Sequence, residues 1–330
     1  MLGKIFKGPV FIVGMPRSGT KLLRGLLNQH SRIGIPVSET EFLPWLVRNH
    51  SRFGDLSDRE IFGKFYREML KIHYFQRMEE EGGCISEDVW YRSCTEYTAA
   101  ELFETLVRHD AGISANSNGI WGDKSPSYIG RIQLLKELYP DARIVHIIRD
   151  VRDYCLSMRN AWGKSMLRAA QRWVDSVSQA EDARHRFPDD VLCLRYEDLL
   201  ENTESELNRL CIFLGVEYEP AMSVLETSVE NLGSAKGVSE VKRDNKKKYL
   251  TRMNSHVRMQ IESISWLVLD KVGYPYDYKG PVRRLNGVVI KGLQVYDSLN
   301  LFRFHIAEQG WIRGVLLVLR LYSTSGNRNV

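Results

Sequence analysis

The first clear pattern in the chain is a short apolar run, Val10-Phe11-Ile12-Val13, that ends at Gly14. An unbroken run rich in β-branched residues predicts a strand buried on both faces of a parallel sheet. From Lys21 the period changes, and Leu22, Leu23, Leu26 and Leu27 recur at helical spacing. Gly14–Thr20 is therefore a loop between a strand and a helix. Arg143-Ile144-Val145-His146-Ile147-Ile148 repeats the strand pattern after the turn residues Tyr139-Pro140-Asp141, and a helix is expected after Arg149-Asp150. Met166, Leu167, Ala170, Trp173, Val174, Val177 and Ala180 mark one face of an amphipathic helix over 165–185. Val191-Leu192-Cys193-Leu194 predicts a third strand. Thr203-Glu204-Ser205-Glu206 matches a Ser/Thr-x-x-Glu capping box, and Gly215 fits the end of that helix. Strands that alternate with helices predict the α/β class, with a parallel sheet flanked by helices.

Residues 42–120 read as a helical insertion rich in aromatics, among them Phe42, Trp45, Phe62, Phe65 and Trp90. Packing between helices is the ordinary use of such rings. Glu79–Gly83 reads as an exposed turn, and 234–250 as a polar loop with Lys242, Arg243 and Lys246–Lys248. A helix over 253–272 stops before Gly273-Tyr274-Pro275. The plan is one main domain, residues 1–278, and a helical C-terminal extension, 279–330. Within the extension, Val315–Leu319 is too short to span a bilayer. It is expected to pack on the core or on a partner chain such as a second copy, with contact at a membrane surface as the lesser reading.

Composition narrows the classes. Hydrophobic residues make up 43% and charged residues 26%, which is ordinary for a globular chain. The net charge of +5 is too small to argue for nucleic acid, although it suits a site for an anionic ligand. The five cysteines lie far apart, with no CxxC and no Cys/His cluster at metal spacing. Free thiols, a cytoplasmic location and no structural metal are the expectations. Val10–Val13 is too short for a signal-peptide core, and no transmembrane segment is expected.

The loop Gly14-Met15-Pro16-Arg17-Ser18-Gly19-Thr20-Lys21 carries phosphate-binding chemistry. Gly14 and Gly19 allow a close backbone approach, and the helix start favours an anion. Arg17 offers a charged fork, and Ser18 and Thr20 offer hydroxyls. A Walker A loop requires Lys followed by Ser or Thr, whereas here Thr20 precedes Lys21. That order argues against a metal-dependent nucleotide or sugar kinase, the rival enzyme class. Arg149 follows a predicted parallel strand, where an arginine points into the ligand crevice.

With these residues in place, Pro16-Arg17-Ser18-Gly19-Thr20-x-Leu22-Leu23-Arg24 resembles the 5′-phosphosulfate loop of the sulfotransferases that use 3′-phosphoadenosine 5′-phosphosulfate (PAPS). It looks closest to the branch of tyrosylprotein sulfotransferases and bacterial sulfotransferase-domain proteins. That branch commonly has two threonines where this chain has Thr20-Lys21. The resemblance extends over roughly residues 8–275 and includes Arg149-Asp150-Val151-Arg152 with Ser157, Asp123-Lys124-Ser125-Pro126, and Tyr196-Glu197-Asp198-Leu199. It implies PAPS as donor and no metal. Arg17, Ser18, Gly19, Thr20 and Lys21 would face the 5′ end, Arg149 and Ser157 the 3′-phosphate, and Tyr196 the adenine. Lys124 would reach the transferring group. Ser38-Glu39-Thr40-Glu41 occupies the family's base segment, which implies Glu39 as the base and Glu41 as the runner-up; Ser38 departs from the paired acidic pattern.

Sulfuryl transfer needs aligned oxygens and cations on the leaving oxygen, tasks suited to Arg17 and Lys124. Glu39 acts as a base only when ionised, a state that a neighbouring cation favours. His109 and His146 are distant alternatives, and His146 lies in a predicted buried strand. The acceptor is a hydroxyl on a glycan, lipid head group, small metabolite or tyrosine. The remaining class is an inactive nucleotide-binding scaffold protein, against which the presence of Arg17, Glu39, Lys124, Arg149 and Ser157 argues.

Overall fold

The computed structural model describes residues 5–80, 82–228, 237 and 239–310. Val10–Gly14 forms β1, and all five of its residues are buried. The helical repeat after it forms α1 (Thr20–Leu27). Then come β2 (Ile33–Gly34) and a run of helices: α2 (Leu43–Asn49), α3 (Arg59–Met69), α4 (His73–Glu80), α5 (Glu87–Arg92) and α6 (Ala99–Asp110). β3 (Ile120–Lys124), α7 (Ile132–Leu138) and β4 (Arg143–Ile148) follow. The chain continues with α8 (Val151–Trp162), α9 (Met166–Arg186), β5 (Val191–Arg195), α10 (Tyr196–Glu201) and α11 (Thr203–Leu214). It ends, within the described residues, with α12 (Tyr249–Arg252), α13 (Ser255–Lys271) and α14 (Gly287–Gln309).

The described strands pair in the order β2-β3-β1-β4-β5, and every pairing is parallel. The α/β class and the helix-flanked parallel sheet are as expected. β1 is central, which explains its unbroken apolar run. Phe11 and Val13 enter one core with the rings of α2–α6, while Val10 and Ile12 enter a second core with Leu23, Leu26 and Leu27 of α1. Phe62, Phe65, Phe75, Trp90 and Phe103 have no exposed surface, so these rings are core.

Four details differ from the sequence pattern. β3 carries Gly122, Asp123 and Lys124, and no apolar run marks it in the sequence because charged residues are rare in a buried strand. β2 is only two residues long and shows no periodicity. Glu79 and Glu80 continue α4, and the turn comes at Gly82 and Gly83, where the Gly83 amide bonds Met78 O at 2.9 Å. The capping box at Thr203 does not form. α10 leads into α11 through Asn202, and the Thr203 hydroxyl donates instead to Leu199 O at 2.8 Å. Gly215 does end α11, in the left-handed conformation with φ 68°. The expected element around Val315–Leu319 lies outside the described residues.

The described residues divide into two compact units. The first comprises those up to Ile148, those from Gln179 to 228, and Gly237–Arg243. It holds the sheet and both cores. The second comprises Arg149–Ser178 and the residues from Asp244 onward. Its organising group is Arg152, 2% exposed, which donates to Asp150 at 2.6 Å, to Glu262 of α13 at 2.8 Å and to Pro275 O at 2.8 Å. The guanidinium also lies 4.0 Å from the ring centroid of Tyr249 in α12. Arg152→Met would remove the nearest cation from two buried carboxylates, Asp150 and Glu262, the latter keeping only Arg258 at 4.0 Å. It should destabilise the fold by about 3–5 kcal/mol, read as a lowered urea midpoint, with Arg152→Lys falling between.

Candidate active site

The carboxyl end of β1 delivers the chain into the loop Met15–Gly19. Gly14 sits where a Cβ would lie 2.6 Å from Ile147 O, so β1 and β4 approach too closely for a side chain there. Arg17 and Gly19 both take left-handed conformations, with φ 71° and 94°. For Arg17 this is a strained state that the surrounding loop must hold. A Cβ on Gly19 would lie 2.3 Å from the ring of Tyr196, which starts α10 directly after β5. Tyr196 thus packs on the loop itself.

α1 starts at Thr20 with no acidic residue in its first turn and no side-chain cap. Ser18 is 1% exposed, and its hydroxyl has no hydrogen-bond partner among the described residues. A buried hydroxyl without a partner costs stability unless a ligand supplies the bond. Uncapped amides, an unsatisfied hydroxyl and the half-buried Arg17 and Lys21 together fit an anionic group such as a nucleotide phosphate.

The second part of the site comes from β3. Its register pairs Lys124 with Ile12 of β1, so the lysine lies at the same end of the sheet as the loop. Lys124 has no solvent exposure. Its ammonium donates to Glu39 Oε1, and the Glu39 side chain keeps about a third of its surface, 34%, open. Burial lowers the Lys124 pKa, Glu39 raises it again, and nearby Arg24 lowers it.

Glu39 is positioned from two directions. From α1, Arg24 donates to Val37 O, and Asn28, four residues later on the same face, bonds Ile35 through both its amide oxygen and nitrogen at 2.9 and 2.8 Å. From the end of β3, Ser125 and Tyr128 share hydrogen bonds with the Thr40 hydroxyl at 3.2 and 2.9 Å. The Glu41 amide donates to Ser125 at 3.3 Å, and the Leu43 amide donates to Tyr128 at 3.1 Å. Glu41 itself is exposed and takes a positive φ of 51°.

The first unit therefore brings together Arg17, Ser18, Gly19, Thr20, Lys21 and Tyr196 around one loop, and Glu39 with Lys124 as an ion pair. Arg149 and Ser157 belong to the second unit. Arg149 is 6% exposed and donates to Asn245 O at 3.0 Å, while its own carbonyl accepts from Trp173 at 3.0 Å. Ser157 lies half-buried on α8. His146 is buried in β4, where burial first and Arg184 second push its pKa down to about 3, so it is no base.

Sequence reading missed Arg24, Asn28, Tyr128 and Asp123. For the first two the signal was available: Thr20, Arg24 and Asn28 repeat every four residues along α1 and its cap. Asp123 stands in the Asp123-Lys124-Ser125-Pro126 segment, where only the lysine carries an expected role. It has no exposed surface, and the Ser125 and Thr40 hydroxyls lie near its carboxyl group without well-formed hydrogen-bond geometry. Burial raises its pKa to about 7, against the opposing pull of Ser125, Lys124 and Thr40.

The sign of the pH effect follows. Between 3.8 and about 7 the folded chain keeps the Asp123 proton that the unfolded chain has lost. Its contribution to stability is therefore full below that window and is lost as pH rises through 7. Asp123→Asn should remove this slope and raise the pH 8 stability by up to a few kcal/mol, as measured by urea unfolding across pH.

The sequence profile of the sulfotransferase family matches residues 9–220. Two curated relatives are each 24% identical to the chain. One is the nodulation protein NoeE of Sinorhizobium fredii, over 64% of this chain and 50% of its own length. The other is protein-tyrosine sulfotransferase 1 of Danio rerio, over 70% of this chain and 58% of its own. The chain thus spans only between half and three-fifths of these relatives. Among solved structures, the sulfotransferase domain of the Synechococcus PCC 7002 olefin synthase superposes with a TM-score of 0.55 at 19% identity, covering 83% of this chain and 98% of that domain. The sulfotransferase domain of the curacin biosynthetic pathway gives 0.53 at 19%, covering 83% and 100%. These two likenesses concern the fold alone. The family profile, however, spans well over half of the chain and includes the Arg17 loop, the Glu39–Lys124 pair and Tyr196, so the protein belongs to the sulfotransferase family.

Proposed function

We propose that the chain transfers a sulfuryl group from PAPS to an acceptor hydroxyl. The observation that carries this reading is the buried Lys124 paired with Glu39 at the sheet end that also holds the Ser18 loop. The donor supplies an activated sulfuryl group on a leaving phosphate. The chain's own residues do the rest. Ser18, Thr20, Lys21 and the amides at the start of α1 hold the 5′ end, with Tyr196 packed behind Gly19 and toward the adenine. Arg149 and Ser157 hold the 3′-phosphate, which is what separates this donor from ATP. Glu39 accepts the proton of the acceptor hydroxyl as its oxygen bonds to sulfur. Lys124 and Arg17 neutralise the bridging oxygen as its bond to sulfur breaks. In this reading, no metal takes part in the transfer.

The helices α2–α6 begin just after the Glu39–Glu41 segment, which makes them the natural acceptor side. A glycan, a lipid head group, a small metabolite or a tyrosine would each present a suitable hydroxyl; the Danio rerio relative is by name a tyrosine sulfotransferase. The transferase domain covers residues 1–278, with 279–330 as an extension. The five free thiols suit a reducing cytoplasm. Among the described residues no helix is long and apolar enough to cross a membrane.

Adenosine 3′,5′-bisphosphate, in the presence of a chelator, should raise the thermal midpoint of the protein, and Arg149→Ala should remove most of that rise. A shift with ATP and Mg²⁺ but none with the bisphosphate would favour a kinase. Glu39→Gln should bind the bisphosphate as the parent chain does, yet lose about 10²–10⁴-fold in transfer rate. Full turnover in that variant would move the base to Glu41.

A further inference from the structure

β4 and β5 pair in a register that sets His146 directly beside Cys193. Both side chains therefore leave the same face of the sheet, and Glu181 of α9 meets them there. One ligand atom from each of the three lies within 4.8 Å of the other two. His146 and Glu181 are 1% and 2% exposed, and Cys193 is half-buried. The His146 Nε2 atom is buried with no hydrogen-bond partner among the described residues. A buried ring nitrogen left unsatisfied beside a thiol and a carboxylate calls for an acceptor of its lone pair.

We propose that His146, Glu181 and Cys193 form a binding site for a thiophilic divalent cation, of which Zn²⁺ is the type. The donor set is one imidazole nitrogen, one thiolate and one carboxylate oxygen, a mixture suited to a borderline-soft ion with a fourth position for water. Tetrahedral zinc ligands stand about 3.3–3.8 Å apart, so the cluster needs to contract by about 1 Å. Arg184 holds Glu181 Oε2 through its Nη2 at 2.8 Å and its Nε at 3.1 Å, and the same Nε makes a longer 3.3 Å contact to Oε1. The metal takes Oε1 in place of that longest contact, while Arg184 orients the carboxylate through Oε2. Burial first and Glu181 second push the Cys193 thiol up to about 12, with Arg184, Arg209 and Arg195 pulling the other way. The thiol therefore gives up its proton only in exchange for the ion, whose charge the two anionic ligands then balance. On binding, the Cys193 proton leaves to solvent and the sulfur–metal bond forms without any change of oxidation state. The ion fastens the edge strand β5 to the carboxyl-terminal part of α9. It is distinct from the transfer site and plays no part in that reaction. The scattered sequence positions had argued against a structural metal; strand register is what gathers these three.

The test uses the full chain stripped with chelator and dialysed against Co²⁺ or Zn²⁺. One equivalent should bind, with thiolate-to-cobalt charge-transfer absorption in the near ultraviolet. Zn²⁺ at a hundredfold excess over its Kd should raise the thermal midpoint by about 5 °C. Cys193→Ser should abolish the charge-transfer band, while Cys84→Ser, at a half-buried thiol elsewhere, should keep it. In the unmutated chain, Zn²⁺ should also slow alkylation of Cys193, a readout that does not depend on any variant folding. No binding, a band that survives Cys193→Ser, or an unchanged alkylation rate would overturn the site.

Discussion

A lysine ammonium without solvent exposure is tolerable only if something pays its desolvation, and Glu39 is that partner for Lys124. Much of the local architecture follows from this requirement. β3 must run beside β1 so that Lys124 reaches the loop end of the sheet. The Glu39 segment must be pinned, and it is gripped by Arg24 and Asn28 of α1 on one side and by Ser125 and Tyr128 on the other. The pair joins a fully buried cation to a carboxylate that still meets solvent. In the proposed transfer, this arrangement lets Glu39 exchange a proton while its counter-ion stays fixed.

The same end of the sheet concentrates unfavourable features. Arg17 holds a left-handed backbone, Ser18 buries an unsatisfied hydroxyl and Asp123 buries a carboxyl group that the nearby Ser125 and Thr40 hydroxyls only partly offset. Each costs stability in isolation, and such costs gather where a chain binds or reacts. The central strand and its two cores, built from Phe11 and Val13 on one face and Val10 and Ile12 on the other, are rigid enough to carry them.

Much of this was legible in the sequence, for identifiable reasons. Strands β1, β4 and β5 announce themselves because burial on both faces demands unbroken apolar runs. The loop announces itself because few residue types other than Gly, Ser, Thr and Arg suit a backbone that wraps an anion. β3 did not, since the residues that matter in it, Asp123 and Lys124, are those that a buried strand ordinarily excludes. Thr203 misled because its hydroxyl donates back to Leu199 O instead of accepting from the amides at the start of the helix it was expected to cap. His146, Glu181 and Cys193 could not be grouped by spacing at all, because their neighbourhood is created by strand register.

The central claim is that the loop after β1 and the Glu39–Lys124 pair move sulfuryl rather than phosphoryl groups. The most direct measurement is a parallel incubation of the protein and hydroxyl-bearing acceptor fractions with radiosulfur-labelled PAPS or with γ-radiophosphorus-labelled ATP, each with chelator present and absent. The account predicts a radiosulfur-labelled product that forms in chelator and no radiophosphorus-labelled one. Label passing from ATP, dependent on Mg²⁺, with none from PAPS would contradict it.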